Sequence, residues 1–219
     1  MPVPDDVFIE QGKKRVFASA IEWPGWCRSG RSEEAALEAL LAYGPRYAEA
    51  LGRRTLRFVA SADVGDLRIV ERRTGNATTD FGAPAIAPQA DDRPVDAKEA
   101  KRLAAIMEAG WAALDRAAAA ADGRVLRTGP RGGGRQLAKI VAHVADAESA
   151  YRSKLGASQA QGDARAATLA AFASRARGEP PERTPRSGAV WSPRYFIRRA
   201  AWHVLDHAWE IEDRSGPAS

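Results

Sequence analysis

The chain has 219 residues, 45% of them hydrophobic and 28% charged, with a net charge of +5. These values describe a soluble chain able to bury one large or two small cores, and they exclude a disordered polyelectrolyte. Its one cysteine, Cys27, excludes an internal disulfide and a thiolate-rich zinc site. Residues 1–10 lack a basic start and an apolar run, and no stretch is long enough to span a bilayer, so a cytoplasmic protein is expected.

The runs 7–10 (VFIE) and 15–23 (RVFASAIEW) are rich in β-branched and aromatic residues and predict a hairpin around Gly12. The segment 23–27 (WPGWC) ends the second strand. Ser32 is a candidate N-cap for a helix over 32–43, with acidic residues in its first turn and Leu37, Leu40, Leu41 and Tyr47 on its buried face. Two further strands are predicted at 55–60 (TLRFVA) and 66–71 (DLRIVE). The unit reads as ββαββ, a helix laid on a small sheet.

The segment PGWCRSGRSEEAAL at 24–37 resembles the strand-to-helix segment of HicB-like domains, and the resemblance covers about the first 75 residues. HicB antitoxins bind a small toxin ribonuclease and often carry a separate DNA-binding tail. No ribbon-helix-helix or helix-turn-helix segment follows here, so the resemblance implies a scaffold or substrate-covering role for residues 1–75.

Residues 76–95 lose periodicity and gain proline, glycine and acidic residues, the composition of a linker, although Phe81 and Ile86 could dock it. Apolar residues then recur at helical spacing in four stretches. The first begins near Asp96 and carries Leu103, Ile106, Met107, Trp111 and Leu114; the others cover about 135–155, 163–177 and 192–214. Four amphipathic helices predict a bundle over 96–214, followed by a short tail at 215–219. The fold class is therefore α+β, a small sheet domain followed by an all-α one.

Only three histidines are present. His203 and His207, four residues apart, fall on one face of the last helix, with Cβ atoms roughly 5–6 Å apart. That spacing suits two imidazoles sharing a metal ion. His143 lies on the second helix of the bundle and joins them if the two helices pack side by side. A single histidine in a bundle is ordinarily a satisfied core residue, and H-x-x-x-H pairs arise by chance, so the conjunction carries the metal reading.

Residues 96–214 resemble the DinB-like four-helix bundles, whose members commonly hold a metal through one histidine on the second helix and an H-x-x-x-H pair on the fourth. The matching residues are His143 within IVAHVADAESAY (140–151) and His203 and His207 within WHVLDH (202–207). In that arrangement the second and fourth helices run antiparallel. His143 lies 8 residues past Arg135 and His207 lies 7 residues before Arg214. Both offsets come to roughly 10–12 Å, so the ligands meet at one level.

Three neutral imidazoles leave a divalent ion its full charge and at least one open position for water or a thiol. Zinc, nickel and iron all suit three nitrogen ligands. Asp146, Asp206 and Glu210 are near enough in sequence to accept a second imidazole N–H. The glycine-rich loop 128–135 precedes a helix N-terminus, and Arg131 and Arg135 are candidates to hold an anionic part of a substrate or thiol cofactor; a plain connection is the alternative reading.

The resemblance implies a metal-dependent enzyme that transfers a low-molecular-weight thiol to an electrophilic small-molecule substrate, and a homodimer. Metal-dependent hydrolysis is the enzymatic alternative. A non-catalytic, stress-related binding or regulatory protein, with a structural metal and a partner-binding HicB-like domain, is the reading from another class. Arginines spread over several loops argue against a nucleic-acid groove. Cys27 has no histidine in its own domain to serve as a base, which reads as a buried thiol. Trp191, Trp202, Trp209 and Tyr195 read as core before pocket, and Arg198 and Arg199 are left open between substrate and solvent.

Overall fold

In a computed structural model that describes residues 5–52, 56–129, 134–185 and 188–216, the N-terminal segment forms the expected hairpin. Strand β1 (Asp5–Gln11) pairs antiparallel with β2 (Val16–Ala20). Two more strands complete a four-stranded sheet: β3 (Cys27–Gly30), antiparallel to β2, and β4 (Leu67–Thr74), parallel to β1. The order is β3-β2-β1-β4.

Every residue of β2 is buried, because both faces of the sheet are covered. Val16, Ala18 and Ala20 face the helix α1 (Glu33–Ala42) and its continuation α2 (Gly44–Leu51). Phe17 faces the other way, onto Trp202, with ring centroids 6.2 Å apart. Ser32 caps α1 as expected, accepting from the Ala35 N–H at 3.2 Å, and Leu37 and Leu40 are buried.

The N-terminal order differs from the expected ββαββ. Strand β3 forms from the Cys27–Gly30 segment, where the sequence suggested only a break, while residues 56–60 pair with no strand. Leu56 and Phe58 alternate inward as a strand would. Phe58, however, is held by three aromatic rings, Trp23, Trp26 and Tyr47, with centroids 4.9–5.0 Å away, so side-chain packing takes the place of a backbone ladder.

Residues 76–95, expected as a linker, lie docked across the molecule. They contain a short helix α3 (Ala77–Phe81) and a 3-10 turn, Gln89–Asp92. Buried Glu10 of β1 accepts from the Thr79 hydroxyl and from the Ala85 and Ile86 N–H groups at 2.9 and 3.1 Å. Burial pushes its carboxyl above the ordinary value, against these hydrogen bonds. Phe81 stays exposed.

Four long helices follow: α4 (Ala97–Ala120), α5 (Leu137–Lys154), α6 (Ala164–Ala176) and α7 (Pro193–Ser215). Helix α7 packs against α4, α5 and α6, and α6 against α4 and α5. It is buried on nearly all sides, since its remaining face meets the sheet and the docked segment. Trp191 N–H donates to the Lys154 carbonyl at 2.8 Å, while Arg214 donates to the Arg135 carbonyl at 2.7 Å, so α5 and α7 run antiparallel.

Three contacts fasten α7 to the sheet. Gly25, at φ +96°, lets the loop before β3 press on the helix, where a Cβ would stand 2.8 Å from Leu205 Cδ1. Arg28 of β3 pairs with Asp206 at 2.9 Å. Arg198 donates to the Ala20 and Ile21 carbonyls and, twice, to buried Asp91 at 2.7 and 2.8 Å. Among the described residues, no helix is long and apolar enough to cross a membrane.

Candidate metal centre

Antiparallel packing of α5 on α7 brings the three histidines together. His143 comes from the second turn of α5. His203 and His207 stack along α7, as the four-residue spacing requires, with ring centroids 4.6 Å apart. The His143 ring lies 5.2 Å from that of His203 and 5.0 Å from that of His207. One ring nitrogen from each falls within 4.8 Å of the others, and no fourth His, Cys, Asp or Glu joins the group among the described residues.

His203 and His207 are buried, and His143 is only partly so, so the cluster opens to solvent on the α5 side. Burial, with the neighbouring charges of His207 and Arg199, lowers the pKa of His203 to about 2. Burial also lowers that of His143, with His207 and Arg135 adding to the shift. Both rings are therefore neutral at pH 7, the form that can donate a lone pair.

His207 Nδ1 lies 2.7 Å from Glu210 Oε2, one turn further along α7. Arg214, a turn beyond, donates to Glu210 Oε1 at 2.6 Å. The hydrogen bond from His207, helped by Arg214, holds the Glu210 carboxyl down at about 2. An ionised acceptor at Nδ1 puts the proton there and leaves Nε2 free as the donor atom. Of the three carboxylates suggested by the sequence, Glu210 takes the part; Asp206 is bound to Arg28 and Asp146 is exposed.

Buried Arg214 ties this relay to the loop before α5. It donates to the Arg127 and Arg135 carbonyls at 2.6 and 2.7 Å, and the Gln136 side chain closes the loop's base on Leu126. Sequence reasoning missed Arg214, although the spacing 207, 210, 214 places all three on one helical face. Arg135 is exposed, and its charge reaches both His143 and His203. Arg131 lies outside the described residues.

The arrangement suits a metal ion. Among the described residues, the buried His203 Nδ1 has no hydrogen-bond partner, a cost that a bound cation or its ligand would offset. Three donors held about 2.1 Å from one tetrahedral ion stand about 3.4 Å from one another, so the three nitrogens, within 4.8 Å here, must draw together to share it. Tyr151 and Trp191 pack beside the cluster. The Tyr151 ring lies 5.6 Å from His203 and 5.4 Å from Trp191. Burial raises the Tyr151 pKa and keeps its hydroxyl protonated.

The other candidates are structural. Cys27 is buried against Ser19, which donates to its sulfur at 2.9 Å, and burial pushes the thiol up to about 12. A thiol so protonated is no nucleophile at pH 7. Trp202 and Trp209 are core, packed on Phe17 and Tyr43. The Tyr195 hydroxyl donates to the Ala85 carbonyl.

Comparison of the chain with protein-family models, with characterised proteins and with solved structures finds no match.

Proposed function

We propose that the chain is a metal-dependent enzyme of the DinB-like class, binding a divalent ion through His143, His203 and His207 and transferring a low-molecular-weight thiol to an electrophile. The observation that carries this reading is the convergence of three imidazoles, those of His143, His203 and His207, with no fourth protein ligand among the described residues. Structural zinc sites are closed by four protein ligands, whereas catalytic ones keep a position for substrate or water.

A bound divalent ion would supply Lewis acidity, lowering the pKa of a coordinated thiol or water toward neutrality. The chain's own residues prepare the place for it. Glu210 sets the His207 tautomer, and Arg214 fixes Glu210 against the end of α7. The Tyr151 ring stands beside His203, and its protonated hydroxyl is a candidate donor to a developing anion. The positive charge of Arg135 favours an anionic reactant over a cationic one.

Metal analysis of the purified protein, followed by a thiol-conjugation screen on wild type and His203→Ala, tests the reading. Wild type should hold about one equivalent of metal, and the variant should lose both metal and conjugation. Equal and negligible metal in the two proteins refutes it. Hydrolysis of the electrophile without added thiol would point instead to metal-bound hydroxide as the nucleophile.

A further inference from the structure

Helix α7 carries adjacent arginines with opposite fates. Arg198 is consumed by Asp91 and two backbone carbonyls. Arg199 is 9% exposed, yet it forms no hydrogen bond or ion pair among the described residues, and its Nη1 is buried without a partner. A guanidinium has five N–H donors and does not lose its charge at any physiological pH, so burying it unpaired is costly.

Two aromatic rings hold the group in place. The guanidinium carbon lies 4.7 Å from the Trp202 ring centroid and 5.3 Å from that of Tyr151. These contacts orient a planar fork without using its in-plane donors. Glu10, the carboxylate whose pKa feels the Arg199 charge, is already engaged by Thr79, Ala85 and Ile86 and forms no ion pair with it. Arg199 precedes His203 by one helical turn, and the Tyr151 ring that flanks Arg199 also stands 5.6 Å from His203.

We propose that Arg199 is the carboxylate-binding residue of the site, gripping the acid group of a ligand whose thiol end reaches the three histidines. The substrate class is thus a thiol that bears a carboxylate, rather than a neutral thiol. The proposal deepens the enzymatic reading and rests on it for the thiol end, while the carboxylate contact is testable without metal.

The probes are 3-mercaptopropionate and 2-mercaptoethanol, which share a two-carbon thiol and differ in the carboxylate. Binding to the cobalt-substituted protein is read from the thiolate-to-cobalt absorption band. Wild type should prefer 3-mercaptopropionate by about 10- to 100-fold, the range of a charge-assisted hydrogen-bonded pair. In Arg199→Met that preference, the ratio of the two affinities, should collapse to about 2-fold or less while cobalt is still bound. Arg199→Lys, which keeps the charge but not the fork, should keep part of it.

Propionate binding to the metal-free protein, followed by isothermal titration calorimetry, gives the second arm; it should saturate in wild type and vanish in Arg199→Met. Cobalt uptake with no carboxylate preference in wild type, or a preference that survives Arg199→Met, overturns the proposal. Failure to take up cobalt refutes the metal reading instead, and Arg199-dependent propionate binding then still upholds the carboxylate contact, while its absence removes that too.

Discussion

Replacing Glu210 by alanine isolates the contribution of the carboxylate that orients His207. The carboxylate receives Nδ1 at 2.7 Å and Arg214 Nη1 at 2.6 Å, so its removal frees the imidazole tautomer and leaves a buried guanidinium short of one partner. Loss of such an outer partner typically lowers metal affinity about 10- to 100-fold, equivalent to about 1.4–2.7 kcal/mol. Arg214 keeps the Arg127 and Arg135 carbonyls, which limits the loss in folding stability to about 1–3 kcal/mol. Glu210→Gln retains one acceptor oxygen for two donors and should fall between wild type and Glu210→Ala. Zinc competition against a chromophoric chelator at pH 7.5 gives the affinity, and urea denaturation of the metal-free protein gives the stability. The carboxyl pKa of about 2 keeps Glu210 ionised far below that pH. Zinc affinity of Glu210→Ala within 2-fold of wild type would refute the relay.

Three other outcomes follow from the structure. His203 is neutral in the fold down to about pH 2 but takes up a proton near 6.5 when unfolded, so its contribution is intact above 6.5 and lost as pH falls below it. Metal-free wild type should therefore lose about 1 kcal/mol between pH 7 and 5.5 from this residue, a loss that denaturation curves of His203→Gln should lack. Asp91→Ala leaves Arg198 buried without its carboxylate and should cost about 3–5 kcal/mol, while the double variant Asp91→Ala with Arg198→Met should recover much of it. Gly25→Ala places a Cβ against Leu205 at φ +96° and should lower stability by about 1–3 kcal/mol in thermal unfolding, with zinc stoichiometry retained.

The sequence alone determined the long helices and the placing of their histidines. Apolar spacing located α4 to α7 within a few residues, because a helix that buries one stripe must repeat it every three or four positions. A four-residue separation places His203 beside His207 whatever surrounds the helix, and Ser32 caps α1 through a contact three residues long. These are local relations, written into a few consecutive turns of chain.

Tertiary structure decided what depends on contacts distant along the chain. Alternation made 55–60 look like a strand as readily as 66–71, yet only the latter pairs with β1; three rings of other segments draw Phe58 into the core instead. Composition made 76–95 look like an interdomain linker that Phe81 and Ile86 could dock, while Glu10 and Arg198, from opposite ends of the chain, reach its backbone and Asp91. Arg198 and Arg199 are identical as letters. Which one is satisfied and which one waits for an anion follows from a 100° turn of the helix, and that turn has meaning only once the sheet and α5 stand on either side of it.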